Sequence, residues 1–286
     1  MQHNITESTS NLDSMLKGLS LLAIRETYSK IAEQSEKQGI SYIDYLCELV
    51  EIETSCRHQK HIAHLLKLAK LPRNKLLSDF DISRLPDLHP GVIKTLSEGD
   101  FIDRCENVLI FGNPGTGKTH LAIALAREWC LQGRRCLYIN ASSLVQQLVT
   151  AKRNNRLSNL LKNLDKKEAL IIDDISYVPY EKAETDLLFL LLAERYEQRS
   201  IIITSNLVFS GWHQIFKDEM TTAAAIDRLV HHSTILELNT ESYRIAMAKK
   251  QHVYDIGGAK PKTPNCKSKT VKSNNTADKE ESTMKT

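Results

Sequence analysis

Eight consecutive residues, Gly112, Asn113, Pro114, Gly115, Thr116, Gly117, Lys118 and Thr119, have the types and order of a phosphate-binding loop. The glycines let the backbone wrap an anion, so that successive N–H groups and the first turn of a following helix point at phosphate oxygens. Lys118 is placed to reach the β- and γ-phosphates. The Thr119 hydroxyl suits Mg²⁺, leaving an oxygen-only site that waters and the nucleotide complete. His120 opens the next stretch and closes the expected nucleotide-binding set. The apolar run Asn107 to Phe111 reads as a strand and His120 to Cys130 as a helix, which is the context this chemistry needs.

Farther along, Leu170-Ile171-Ile172 ends in Asp173 and Asp174. A carboxylate at the end of a buried strand can hold Mg²⁺ through its waters, the role expected of Asp173, while Asp174 faces the γ-phosphate and positions the attacking water. The run Ile201-Ile202-Ile203-Thr204-Ser205 leads to Asn206, whose amide can orient that water or sense the γ-phosphate. Arg228 follows Ala225-Ile226-Asp227 on a short helix. It is a candidate cation for the γ-phosphate of a neighbouring subunit, with an ion pair to Asp227 or Glu219 as the competing reading.

Strand patterns over Cys136 to Asn140, Ala169 to Asp173, Ser200 to Thr204 and Thr234 to Leu238 alternate with helical ones, including Leu144 to Ala151 and Asp186 to Tyr196. Continuous apolar strands separated by helices predict an α/β domain with a central parallel sheet buried on both faces. Ahead of it, apolar residues from Leu12 to about Leu71 recur at helical spacing, with a break at Gly39 and an N-cap at Ser41, so a small all-helical region is expected. The first eleven residues are polar and read as loose. Pro72, Pro86 and Pro90 punctuate a connector, and Val92 to Glu98 reads as a short helix. The expected division is 1–74 helical, 75–250 nucleotide-binding, and 251–286 a tail. From Gly257 to Thr286 the chain has too little apolar surface to offset its ordering entropy and is expected to be disordered.

The chain has 286 residues, 41% of them hydrophobic, and a formal charge of +3, so any nucleic-acid affinity must come from local patches. Six scattered cysteines without paired spacing predict reduced thiols in the cytoplasm, and no apolar run is long enough to cross a bilayer. Two basic stretches are candidates for DNA phosphates. One, from Arg57 to Lys75, holds Arg57, Lys60, Lys67, Lys70, Arg73 and Lys75 with no acid among them; the other holds Lys152, Arg153 and Arg156. A solvated helix face or an exposed loop is the competing reading of each. His58, His61 and His64 beside Cys56 drift around a helix and match no known zinc-finger spacing.

Several segments together carry a resemblance to a known family: Glu106 to Ala122 around the loop, Leu170 to Pro179, Ser200 to Phe209, Ala223 to His232, Glu194 to Glu197, and Glu241 to Arg244. The sequence resembles the IstB-like helper ATPases of insertion-sequence transposition, relatives of the DnaC helicase loader within the AAA+ superfamily. The resemblance implies an AAA+ fold, ATP with Mg²⁺ as cofactors at subunit interfaces, rings or filaments of a homo-oligomer on duplex DNA, and a transposase as partner. It makes Asn206 the sensor-1 residue, Arg228 the arginine finger and Arg244 a sensor-2 candidate, and it turns Lys152, Arg153 and Arg156 toward a central channel. Relatives commonly carry Asp-Glu where this chain has Asp173-Asp174, which implies slow hydrolysis suited to a switch. A replicative helicase loader acting on single-stranded DNA is the alternative. A small-molecule kinase is the reading from another class, and no guanine-reading motif is visible.

Overall fold

The computed structural model describes residues 2–85, 88–176, 180–243 and 245. The expected disordered tail and Arg244 lie outside these residues. Three helices come first: α1 (Gln2–Gly18), α2 (Leu22–Gln38) and α3 (Tyr42–Leu68). The polar first eleven residues are therefore mostly helical. Elongating a helix costs little once one turn is nucleated, and the turn holding Leu16 is seated in a small core with Ile24, Ile31 and Leu49. Gly39 ends α2 in the left-handed conformation and Ser41 caps α3 by accepting the Asp44 N–H, both at the expected places.

After α3 come a 3₁₀ turn at Ile82–Arg84, α4 (Pro90–Glu98) and α5 (Asp100–Asp103). The sheet region follows in the order β1 (Asn107–Gly112), α6 (Lys118–Leu131), β2 (Cys136–Asn140), α7 (Ala141–Arg153), α8 (Leu157–Asp165) and β3 (Ala169–Asp173). It continues with α9 (Lys182–Arg195), β4 (Ser200–Ser205), α10 (His213–Phe216), α11 (Glu219–Val230) and β5 (Ser233–Leu238). All four strand pairings are parallel and the spatial order is β2-β3-β4-β1-β5. The inner strands β1, β3 and β4 are buried almost throughout, as their unbroken apolar runs demand. Edge strand β5 alternates, with Leu236 and Leu238 inside and Ile235 and Glu237 outside.

Helix α6 and the α4–α5 segment cover one face, where Leu121, Leu125 and Trp129 meet Val108, Ile110 and Ile171. Helices α7 to α11 cover the other, where Leu144, Leu148, Leu191 and Trp212 meet Leu109, Leu170 and Ile203. Two polar residues tie the layers. Asn107 donates its amide to Leu229 O and accepts Ile201 N–H, joining α11, β1 and β4. Arg195, 2% exposed, donates to the carbonyls of Leu164, Lys167 and Ser200. Burial lowers its pKa to about 10, which leaves it cationic at neutral pH.

Candidate nucleotide site

Because the sheet is parallel, the carboxyl ends of β1, β3 and β4 open on one edge, and each delivers a polar residue there. The phosphate loop leaves β1 and becomes α6 at Lys118. Its curvature needs residues that tolerate positive φ. Gly115 has φ 86° and packs against Ser242, and Gly117 has φ 102° with the Phe80 ring 3.0 Å from where a β-carbon would stand. Lys118 is 6% exposed, and its Nζ donates to Gly112 O at 2.8 Å, Asn113 O at 2.9 Å and Asn206 Oδ1 at 2.6 Å.

Strand β4 lies between β1 and β3, so Asp173 meets the loop across the end of β4. Its carboxylate, 5% exposed, accepts three hydroxyls. Thr119 donates to Oδ1 at 2.9 Å, Thr204 to Oδ1 at 2.6 Å, and Tyr138 to Oδ2 at 2.7 Å. Burial, and then the bond to Asp173, push the Tyr138 phenol pKa up and keep it a donor. Asp174 turns out of the strand in the left-handed region, φ 62°, with its N–H on Thr204 Oγ1. Its Oδ1 accepts the Asn206 amide at 2.9 Å. The donors around Thr119 and Asp173 are oxygens only, a set that fits a hard divalent cation such as Mg²⁺.

Beside the loop opens a cleft of about 350 Å³, lined by the phosphate-loop residues and by Lys75, Phe80, Arg84, Thr240 and Tyr243. The sequence reading assigns none of these five a role in the site. Phe80 lies 5.6 Å from the His120 ring, and the Arg84 guanidinium sits 4.9 Å from the centre of the Tyr243 ring. The residues from 75 to 84 belong to the Pro-punctuated connector, which folds back over the loop; a lone aromatic between prolines was the only available signal. Tyr243 N–H also bonds Gly115 O, tying the segment after β5 to the loop.

The remaining candidates do not line this cleft. Arg228, half-buried on α11, stacks on Phe189 at 4.8 Å and donates to Ala224 O. Among the described residues it has no ion pair with Asp227 or Glu219. Lys152 and Arg153 end α7 and Arg156 precedes α8, all three exposed. Lys60, Lys67, Lys70 and Arg73 are exposed, and Lys60 and Lys67 share one side of α3. Arg57 is held differently: its Nε bonds Glu53 and its Nη2 bonds Ser20 O. His58, His61 and His64 lie exposed along α3.

A phosphate loop between a buried parallel strand and a helix, an acid two strands away and an asparagine just after the strand between them define a nucleotide-binding fold of the AAA+ kind. The fold is similar to that of AMPPCP-bound DnaA from Aquifex aeolicus, with a TM-score of 0.51 at 20% identity over 65% of this chain and 56% of that one. Residues 14–251 match the family described as IstB-like ATP binding protein. The chain is 38% identical to an ATP-binding protein of insertion sequence IS21 from Pseudomonas aeruginosa, over 85% of this chain and 91% of that protein. It is 39% identical to the corresponding protein of IS5376 from Geobacillus stearothermophilus, over 79% and 90%. The chain belongs to the IstB-like ATP-binding family. Among the described residues no helix is long and apolar enough to cross a membrane.

Proposed function

We propose that this chain is a slow, DNA-stimulated ATPase that assembles on duplex DNA in its ATP-bound state, engages the transposase of the same element, and releases on hydrolysis. The observation that carries the reading is the continuous chain Lys118–Asn206–Asp174, which joins the phosphate loop to the acid expected to position water. Lys118 and the loop N–H groups hold the phosphates, and Thr119 and Asp173 hold Mg²⁺, which when bound neutralises charge on the phosphate oxygens. Asp174 and Asn206 set the water. Arg228, half-buried and without an ion pair among the described residues, is offered to the site of a neighbouring copy. Arg244 is the further candidate from the segment beyond β5.

Residues 75–250 form the nucleotide-binding part in this reading, consistent with a cleft whose wall begins at Lys75. Residues 1–74 form the partner and DNA part. The relatives carry insertion-sequence names, which favours a transposase as client. The aspartate at 174, shorter than the glutamate common at this place, argues for turnover below ~10 s⁻¹, the median for enzymes.

Electron microscopy of the protein with duplex or single-stranded DNA, with and without ATP and beside Lys118→Ala, tests the proposal. Rings or filaments on duplex that need ATP and are lost in the variant are expected. Assembly on single strands alone would transfer the reading to a helicase loader, and no assembly in any condition would remove the role given to Arg228.

A further inference from the structure

We infer that Tyr138 is a positioning residue for the cation: its hydroxyl fixes the Asp173 carboxylate in the one orientation that serves Thr119 and the metal. The inference rests on the proposed use of Thr119 and Asp173 as the Mg²⁺ pair.

The two oxygens of Asp173 are engaged unequally. Oδ1 accepts Thr119 and Thr204, while Oδ2 accepts only Tyr138 among the described residues. A carboxylate held at one oxygen can still swing about its terminal torsion, which is broad for Asp. Held at both, it cannot turn without breaking a bond in a buried place. Thr119 needs this constancy. To present its oxygen lone pair to a cation it must direct its proton elsewhere, and Asp173 Oδ1 at 2.9 Å is where that proton goes.

Tyr138 is itself anchored. It sits at the middle of β2, the edge strand, in register with Ile171 of β3. Its outward N–H does not face solvent unpaired but donates to Ala69 O at 2.9 Å, the residue that closes α3. The phenol therefore projects from a backbone fixed on both sides. Partners that orient a metal-binding group commonly carry 10–100-fold in metal affinity.

The test is the affinity of a fluorescent ATP analogue measured against free Mg²⁺, and again in EDTA, for wild type, Tyr138→Phe and Asp173→Asn, with thermal melts of all three. Tyr138→Phe keeps the ring and its packing. It is expected to raise the Mg²⁺ midpoint by about tenfold, the low end of that range, with affinity in EDTA unchanged. The melts, in which loss of a buried hydrogen bond costs some stability, show that each variant is folded at the assay temperature. A Mg²⁺ midpoint equal to wild type, while Asp173→Asn shifts it, would overturn the role of Tyr138 and leave the site reading intact. An equal loss with and without Mg²⁺ would make Tyr138 merely structural and also overturn it. Wild-type binding indifferent to Mg²⁺ would remove the site reading and the inference with it.

Discussion

Asn206 and Asp174 are joined by a hydrogen bond of 2.9 Å from the amide nitrogen to the carboxylate, and the same amide accepts Lys118 on its oxygen at 2.6 Å. The orientation is chemically forced: an ammonium only donates and an ionised carboxylate only accepts, so the amide cannot be turned round. In the proposed function Asn206 therefore stands between the residue assigned to the phosphates and the acid assigned to the water. On that proposal, a γ-phosphate that takes over Lys118 would alter one end of this chain and be sensed at the other. Asn206→Ala is expected to lower hydrolysis by about 100-fold, the scale of one lost preorganised donor. ATP affinity should change little, because Lys118 keeps its two carbonyl partners in the loop. Single-turnover hydrolysis beside equilibrium binding measures both, and a loss of binding as large as the loss of rate would reject this division.

The role proposed for Arg228 differs in depending on a second copy. Its guanidinium lies over Phe189 and its only backbone partner among the described residues is Ala224 O at 3.3 Å, a weak tether. Arg228→Ala is expected to leave nucleotide binding at low protein concentration unchanged. The rate in the DNA-assembled state should fall by about 10³-fold, the low end for an arginine finger. Rate measured against protein concentration distinguishes the roles: a variant with an unaltered concentration-dependent rate would return Arg228 to a packing residue.

The phosphate loop is legible in sequence because wrapping an anion needs a contiguous run, and Asp173, Asp174 and Asn206 are legible because each ends an apolar strand. Tyr138 is not, since its partner Asp173 is 35 residues away and on another strand. Phe80 and Arg84 are hidden in a connector whose prolines mark a turn but say nothing of where it folds back. Arg57 shows a window effect. It opens a run without acids, yet its partner Glu53 lies one helical turn earlier. The helical start of the chain is missed for another reason: a polar helix end has no periodicity to read.

Glu53 gives a prediction about pH. It is buried on α3 and accepts the N–H groups of Ala23 at 2.8 Å and Ile24 at 3.2 Å, so it caps the first turn of α2, where Leu21 supplies no side-chain cap. The bond from Arg57, then those two N–H groups, hold its carboxyl below the ordinary 4.5 despite burial. A depressed folded pKa contributes stability that is complete above the unfolded value and is lost as pH falls through the folded one. Glu53→Gln is expected to lower the melting temperature by about 3 °C near neutral pH, a cap-sized loss in a domain of this size. The gap from wild type should close as pH drops below 4.5. Melts from pH 7 to pH 3 test this, and a gap independent of pH would show that the carboxylate charge contributes nothing.

The exposed cations Lys152, Arg153 and Arg156 crowd the turn between α7 and α8, where Asn155 takes a left-handed φ of 54° and brings the two helix ends together. A cluster of exposed cations suits phosphate contact without sequence preference. Each contact releases counterions, so replacing all three by Gln should flatten the slope of log K against log salt by about 0.9 per contact on duplex DNA, about 2.7 in total. Replacing Lys60 and Lys67 on α3 in a second variant separates the two patches. Titrations at several salt concentrations decide between them: a slope unchanged in the first variant and flattened in the second would move the DNA contact from the α7–α8 turn to the helical region.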